Sequence, residues 1–239
     1  MANQFDEDEF MLEDYGSNPR PHQSRISASR EPERRRLIDP EKYLEHLTQA
    51  WVNERAAPEI LPYEQEAVQG LLDKIDQQLG VIDDLDEGND SAIILLIIYQ
   101  TELERVKYVL RGYLRARISK IERFGQYLLE SNEMKSRLSP AEQTYVESYI
   151  RLTMKHFNSS FLNEFPPSLQ QQDDVVFDRR ISMVSKPNLS EAVFCRVVKP
   201  IGDWELDAEE TVVLAPGQIY IFRYEHIRPL LLQGQVELI

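Results

Sequence analysis

One amphipathic stretch, residues 91–130, constrains the fold of this chain more than any other part of its sequence. Its apolar residues recur every three or four positions, which places them along one face of an α-helix. They are Tyr99, Leu103, Val106, Leu110, Tyr113, Leu114, Ile118, Ile121 and Phe124. A helix of about 40 residues extends roughly 60 Å. Because a domain of ordinary size cannot bury that length, the helix needs other helices or a partner chain along it.

The polar positions of the same stretch are mostly basic. They include Arg105, Lys107, Arg111, Arg115, Arg117, Lys120 and Arg123. The whole chain has 27 lysines and arginines against 41 aspartates and glutamates, and this net charge of −14 opposes independent binding to phosphates. We therefore expect the basic face to be solvated or paired with acidic residues. A DNA-binding module that uses this face is the alternative, and any contact with DNA is expected to be indirect.

Two glycines interrupt the long helical pattern. Gly112 and Gly125 each cost about 1 kcal/mol relative to alanine inside a helix. That cost predicts either the close approach of another backbone or a bend in the helix.

Cysteine content and hydropathy indicate an intracellular, soluble protein. Cys195 is the only cysteine, so no disulfide forms within the chain, and a reducing compartment fits best. The longest apolar run, residues 92–99, has eight residues, well below the roughly 20 that cross a bilayer. Residues 5–14 are acidic where a signal peptide needs basic and apolar segments.

The first 38 residues are expected to form a disordered tail. Residues 1–15 contain six acidic residues and no basic one, whereas residues 17–36 are rich in arginine and proline. Such segments bury too little apolar surface to offset chain entropy. An alternative is that Phe10, Met11 and Leu12 form a short helical docking motif, with the arginine-rich part as a weak nuclear-import signal.

Helix signals surround the long stretch on both sides. Residues 39–41 (Asp-Pro-Glu) predict a helix start, and Pro58 ends that helix. A second helix follows Pro62, and the capping box of residues 139–142 opens a helix after the long one. Four helices in residues 39–165 predict a compact helical bundle.

Towards the end of the chain, apolar residues alternate with polar ones, so the hydrophobic period changes from that of a helix to two. After an expected linker over residues 166–187, four segments have the composition and alternation of strands: residues 191–198, 210–214, 218–224 and 236–239. Residues 200–203 are expected to be a turn, and residues 224–233 a helical turn. We therefore predict a mainly α fold, with a helical bundle (A domain) followed by a small β-rich domain (B domain) over residues 188–239. A unit this small is marginal alone and should lean on another surface.

Residues with catalytic or metal-binding chemistry are scattered. His22, His46, His156 and His226 lie in four separate segments, and no glycine-rich phosphate loop occurs. Cys195 lies within an apolar strand pattern, which is typical of a small buried residue rather than a nucleophile. We expect no catalytic residue, no metal site and no cofactor, and hence a protein that is not an enzyme.

Several segments, in order, resemble GINS complex subunits of the Sld-five type. They are LTQAWVNERAAPEIL (47–61), ELERVKYVLRGYLRARISKIERF (102–124), LSPAEQ (138–143), FPPSLQ (165–170), VSKPNLSEAVFCRV (184–197) and GQIYIFRYEHIRPLLLQGQVELI (217–239). The resemblance covers roughly residues 42–239. The arginine- and proline-rich tail and the isoleucine-rich run at residues 93–98 depart from the pattern.

The resemblance implies a nuclear, non-catalytic subunit of a heterotetramer with three Psf-type GINS subunits. That tetramer is implied to bind the mini-chromosome maintenance ring and the Cdc-forty-five protein, and so to serve the initiation and elongation of DNA replication. Within this frame we assign a set of residues to core and subunit packing. They are Trp51, Tyr108, Arg111, Tyr113, Leu114, Arg117, Ile121, Phe124, Tyr220, Phe222, Tyr224, Ile227, Leu230, Val236, Leu238 and Ile239.

Overall fold

The computed structural model describes residues 42–84, 90–167, 170, 175–176, 181–207 and 210–239. The expected tail, its motif Phe10, Met11 and Leu12, and the helix start at residues 39–41 lie outside these residues. Within the described part, six α-helices form: α1 Tyr43–Ala56, α2 Gln65–Asp83, α3 Asp90–Glu130, α4 Asn132–Ser136, α5 Pro140–Ser160 and α6 Tyr224–Leu232. Together with the small sheets described below, they confirm the predicted mainly α fold with a small β part.

The long helix α3 is the axis of the helical region, as its apolar pattern predicts. Its first half packs with α1 and α2 around a core that includes Leu47, Leu71 and Leu110. Its second half packs with α4 and α5 around a separate core that includes Ile121 and Val146. The helix bends at Phe124, where φ is −116° and ψ is 17°. The single helix α3 therefore contributes side chains to two separate cores.

The glycines of α3 allow close approach of side chains rather than of another backbone. A Cβ atom at Gly112 would lie 2.7 Å from ring atoms of Trp51 on α1. A Cβ atom at Gly125 would lie 2.8 Å from Ile150 Cδ1 on α5. The bend at Phe124, next to Gly125, agrees with the alternative that glycine marks a bend.

The helix boundaries follow local sequence signals. The helix α1 ends at Ala56, two residues before Pro58. The predicted capping box of α5 is confirmed, because Ser139 Oγ accepts from the Glu142 amide at 3.2 Å and Glu142 Oε2 accepts from the Ser139 amide at 2.8 Å. Four helices were expected in this region, and the short α4 between α3 and α5 adds one more.

Three antiparallel sheets account for the described strands. They involve β1 Val175–Val176 with β2 Ile181–Ser182; β3 Ala192–Val197 with β6 Ile219–Arg223 on one side and β7 Val236–Leu238 on the other; and β4 Gly202–Asp207 with β5 Glu210–Leu214. The predicted strands at β3, β5, β6 and β7 are confirmed. The prediction of a turn at residues 200–203 is wrong from Gly202 onwards, because Gly202 and Asp203 already pair with Leu214 and Val213.

The inner face of the β6-β3-β7 sheet packs on α6 and on the loop after α1. Val193, Cys195 and Val197 alternate with exposed residues along β3 and share a core with Ala57 and Leu61. The small β part therefore leans on the helical region of its own chain. Within the described residues, no helix is both long and apolar enough to cross a membrane.

Candidate subunit interface

Arg117 of α3 is the centre of a buried ion network that joins the helices. Its fully buried guanidinium donates to Glu142 (Nε to Oε1, 2.7 Å; Nη2 to Oε2, 3.0 Å) and to Glu54 of α1 (Nη1 to Oε2, 3.2 Å). It also donates to the backbone carbonyls of Leu61 at 2.7 Å and Arg137 at 3.0 Å. One side chain therefore fixes α1, the loop after α1 and the start of α5 relative to α3.

Burial lowers the pKa of both cations that contact Glu54, but the net shifts of the two pKa values have opposite directions. Burial of Arg117 favours loss of its proton, but the hydrogen bond to Glu142 and the charge of Glu54 outweigh it, so the pKa of Arg117 is raised. Lys120 Nζ lies 2.8 Å from Glu54 Oε1, and there burial dominates and the pKa of Lys120 is lowered. Arg117 remains a cation that needs both carboxylates as counter-ions.

Glu59, in the loop after α1, links the helical region to the β part. Its carboxylate accepts hydrogen bonds from the Tyr224 hydroxyl at 2.9 Å and from Arg228 Nε at 2.6 Å, both on α6. Arg137 Nη1 lies 3.0 Å from the other oxygen of Glu59. Burial and then the charge of Glu59 raise the pKa of Tyr224, so its hydroxyl keeps its proton and donates.

These charges specify geometry more than they add stability. Desolvating an ion pair costs nearly as much as its attraction returns, whereas removing one partner costs about 3–5 kcal/mol because a buried charge is left alone. In the described residues, every buried side-chain polar atom has a hydrogen-bond partner. The network therefore holds α1, α3, α5 and α6 in one arrangement, on which any partner surface depends.

The structure divides the residues assigned to packing into three groups. Most are buried in this chain's own core: Tyr113, Arg117, Ile121, Phe124, Tyr224, Ile227, Leu230, Val236 and Leu238. Half-buried are Trp51, Leu114, Tyr220 and Phe222. Exposed are Tyr108, Arg111 and Ile239. The buried group packs the interior of this chain, so only the other two groups present surface on which another chain could pack.

The first exposed apolar surface, which we call the isoleucine patch, lies near the start of α3. It comprises Ile93, Ile94, Leu95, Ile97 and Ile98, and Ile94 is 62% exposed. On α2, Leu72, Leu79 and Val81 are also exposed. So many exposed large apolar side chains on one helical segment are typical of an interaction site.

A second exposed surface follows α5. Phe157, Phe161 and Phe165 form a row with ring centroids 5.8 and 6.2 Å apart. Beside it, a groove of about 370 Å³ between α3 and α5 is lined by residues that include Ile150 and Met154. Aromatic and methionine side chains are enriched at protein interfaces.

The third exposed surface is the outer face of the β6-β3-β7 sheet. Phe194 of β3 lies opposite Ile221 of β6 and is 56% exposed. Ile219, Val198 and Ile239 are exposed beside them. An uncovered sheet face with aromatic and β-branched residues is suited to packing against another chain.

The described residues contain no group of three or more His, Cys, Asp or Glu placed to hold a metal ion. Cys195 is buried as predicted, and burial raises the pKa of its thiol to about 11. His46 Nε2 lies 3.0 Å from Glu64 Oε2, and the hydrogen bond to Glu64 raises the pKa of His46. None of these groups forms a reactive constellation.

Sequence reasoning missed the buried carboxylates. Glu54 and Glu59 lie in the segment at residues 47–61 but were not assigned a role, and Glu142 was predicted only as a helix cap. A signal was present for Glu54, which follows the buried Leu47 by seven residues and so lies on the same face of α1. A charged residue on the buried face of a helix indicates an oppositely charged or hydrogen-bonding partner inside the protein.

Known proteins match this chain over most of its length. A family model described as "GINS complex protein helical bundle domain" matches residues 74–161, and one described as "DNA replication complex GINS protein SLD5 C-terminus" matches residues 187–239. The chain is 37% identical to the DNA replication complex GINS protein sld5 of Schizosaccharomyces pombe, covering 85% of this chain and 96% of the relative. It is 32% identical to the corresponding proteins of Mus musculus (85% and 92%) and Saccharomyces cerevisiae (84% and 82%).

Proposed function

The chain belongs to the SLD5 (Sld-five) family of DNA replication complex GINS proteins, and from that premise we propose that it is a structural, non-catalytic subunit of a GINS heterotetramer. Its partners are three Psf-type GINS subunits. Through the assembled tetramer it acts with the mini-chromosome maintenance ring and the Cdc-forty-five protein in the initiation and elongation of DNA replication. Its place of action is the nucleus.

The observation that supports this proposal most is the contrast between a rigid interior and three uncovered apolar surfaces. The ion network around Arg117 fixes the helices. The isoleucine patch, the row of Phe157, Phe161 and Phe165, and the outer sheet face stay exposed in the isolated chain. Obligate interfaces are large and core-like, and each buried apolar side chain adds about 1.5–3 kcal/mol before entropy losses.

The proposed division is a tail (residues 1–38), an A domain (39–165), a linker (166–187) and a B domain (188–239). Phe10, Met11 and Leu12 stay a predicted docking motif. Within the A and B domains, we propose that the exposed and half-buried members of the packing set contact partner subunits. These are Trp51, Tyr108, Arg111, Leu114, Tyr220, Phe222 and Ile239.

Ion pairing along α3 disfavours the alternative of a DNA-binding module. Arg105 pairs with Glu102, Lys107 with Glu104, and Lys120 with Glu54. Arg117 is buried. Paired and buried cations release few counter-ions from DNA, so they add little affinity. We propose that this subunit contacts DNA only indirectly.

Co-expression tests the proposal. A tagged form of this chain, produced with the three Psf-type subunits of its organism, should elute from size exclusion with all of them in equal amounts. Produced alone, it should aggregate. A well-behaved monomer with a cooperative melt that captures no GINS subunit contradicts the proposal, and salt-sensitive retention of that monomer on DNA supports the alternative.

A further inference from the structure

A cleft between α1 and α3, which we call the arginine cleft, differs in charge from the rest of the molecule. It encloses about 430 Å³ and is lined by Trp51, Arg55, Tyr108, Arg111, Gly112, Arg115 and Ala116. Three of these described residues are arginines and none is acidic. The chain as a whole has a net charge of −14, so this concentration of cations is local.

The floor of the cleft is built from aromatic rings. Gly112 lets the indole of Trp51 lie against α3, since a Cβ atom there would be 2.7 Å from the ring. Tyr108 meets Trp51 edge-on at a centroid distance of 5.8 Å and an interplanar angle of 84°. Tyr108 is nevertheless 64% exposed. An anchored indole and an open phenol ring offer a rigid apolar contact surface.

The arginines surround this floor. The Arg55 guanidinium lies 5.6 Å from the centroid of the Trp51 ring. Arg111 and Arg115 are exposed one turn apart on α3. Arg111 Nη1 is 3.6 Å from Glu104 Oε2, a long contact between two exposed groups that contributes little. The cleft therefore combines guanidinium groups with Trp and Tyr, the residue types enriched at binding hot spots.

We propose that the arginine cleft binds an acidic segment of a partner subunit that inserts one apolar or aromatic side chain against Trp51 and Tyr108. The inference rests on the proposed function, because it requires a partner chain. Guanidinium groups bind carboxylates through paired hydrogen bonds, so Arg55, Arg111 and Arg115 select acidic side chains around that anchor.

Charge argues against a nucleic acid as the occupant. Stacking of a base on Tyr108 beside arginines has the chemistry of single-strand binding. However, a single strand is held along a groove by many phosphate contacts, whereas the cleft offers three guanidinium groups and the nearby Arg105 and Lys107 are paired with acidic residues. The negative charge of the remaining molecule also repels a polyanion over longer distances, while a short acidic segment meets only the local field.

Photo-crosslinking identifies the occupant directly. The photoreactive residue p-benzoylphenylalanine replaces Tyr108 in the chain co-expressed with the three Psf-type subunits, and cross-linked peptides are mapped by mass spectrometry. We expect cross-links to one segment of one partner subunit that is rich in Asp and Glu. Cross-links to nucleic acid, to this chain's own residues or to a partner segment without acidic residues overturn the proposal, as does the absence of any cross-link in the assembled complex.

Charge reversal tests the contribution of the arginines. Arg111→Glu/Arg115→Glu in the co-expressed chain should weaken the affinity for the cross-linked subunit about tenfold or more. The weaker affinity is measured as elution of that subunit from the immobilised chain at a lower salt concentration. The matched control is Arg151→Glu/Lys155→Glu, two exposed cations equally spaced on α5, which should elute like the unmodified chain. Equal elution of the Arg111/Arg115 variant and the unmodified chain overturns this inference alone. Failure of the unmodified chain to retain any GINS subunit overturns the proposed function instead.

Discussion

The interior around Arg117 and the surface around Ile94 reverse the usual distribution of residue types. Inside, two carboxylates and a guanidinium are almost entirely buried, whereas the isoleucine patch remains largely open to solvent. In most soluble proteins the charges lie outside and the isoleucines inside. The difference teaches that the interior fixes one arrangement of helices and that the surface is left for another chain to complete.

Removal of residues 236–239 should have the largest effect, because it takes a strand from the β part together with that strand's contact to α1. Val236 and Leu238 are buried in the β part, and the Leu238 amide donates to Asn53 Oδ1 of α1 at 2.8 Å. We expect loss of assembly with the Psf-type subunits, measured by co-purification, while the helical circular-dichroism signal persists. Removal of Ile239 alone leaves β7 intact, so we expect a smaller loss of assembly from that deletion. Intact assembly after the longer deletion contradicts the placement of β7.

Arg117→Leu tests the contribution of the buried ion network to stability. The substitution leaves Glu54 and Glu142 buried without their shared cation, which should lower the free energy of unfolding by about 3–5 kcal/mol. The measurement is the urea midpoint of the helical signal in the co-expressed complex. Arg105→Leu, which removes an exposed cation paired with Glu102, should leave that midpoint nearly unchanged. Equal midpoints for both variants would show that the network does not fix the bundle.

Ile94→Ser/Ile97→Ser tests the contribution of the isoleucine patch to assembly. Both side chains are exposed, so the helical signal and its thermal midpoint should change little, while aggregation of the isolated chain decreases and assembly is lost. Light scattering and co-purification measure the two outcomes. Ile121→Ser, at a buried position of the same helix, should instead destabilise the fold by about 2–5 kcal/mol. A strong loss of stability in the Ile94/Ile97 variant would mean that the patch is part of the core.

The smallest expected effect concerns pH. The hydrogen bond to Glu64 raises the pKa of His46 above its ordinary value of 6.5, so the pair stabilises the fold fully below that pH and less as pH rises through the raised pKa. Both groups are partly exposed, which limits the effect to less than about 1 kcal/mol. Thermal midpoints of the unmodified chain and His46→Gln should therefore differ more at pH 6 than at pH 8. A difference that grows with pH contradicts this assignment.

Periodic and capping signals predicted the elements, because these depend on nearby residues. The stripe from Leu103 to Phe124 predicted α3, and the capping box predicted the start of α5. The strand at Gly202–Asp207 was missed because its first residues, with Pro200, have turn composition, and pairing with β5 overrides that preference.

The partition of the packing residues could not be predicted, since a single stripe contains both core and surface positions. Tyr113 and Ile118 both belong to the apolar stripe of α3, yet Tyr113 is buried whereas Ile118 is exposed. Whether a side chain on one helix is buried depends on the angle at which the neighbouring helices cross it. The residue pattern of a single helix carries no information about that angle. The buried carboxylates were missed for the same reason, because Glu59 gains its partners from α6, more than 160 residues away in sequence.

The contact between Leu238 and Asn53 has a consequence for how the molecule reaches its native state. The two residues are 185 positions apart, and Glu59 meets Arg228 across 169 positions. Contacts between such distant positions raise the contact order of the fold. A high contact order slows folding, because the entropy of closing a long loop is lost before the contacts that stabilise the loop have formed. Docking of the β part on α1 and its following loop therefore needs the last elements of the chain, and until they dock the uncovered apolar surfaces are open to aggregation. We expect production of this chain to depend on chaperones more than its size alone would require.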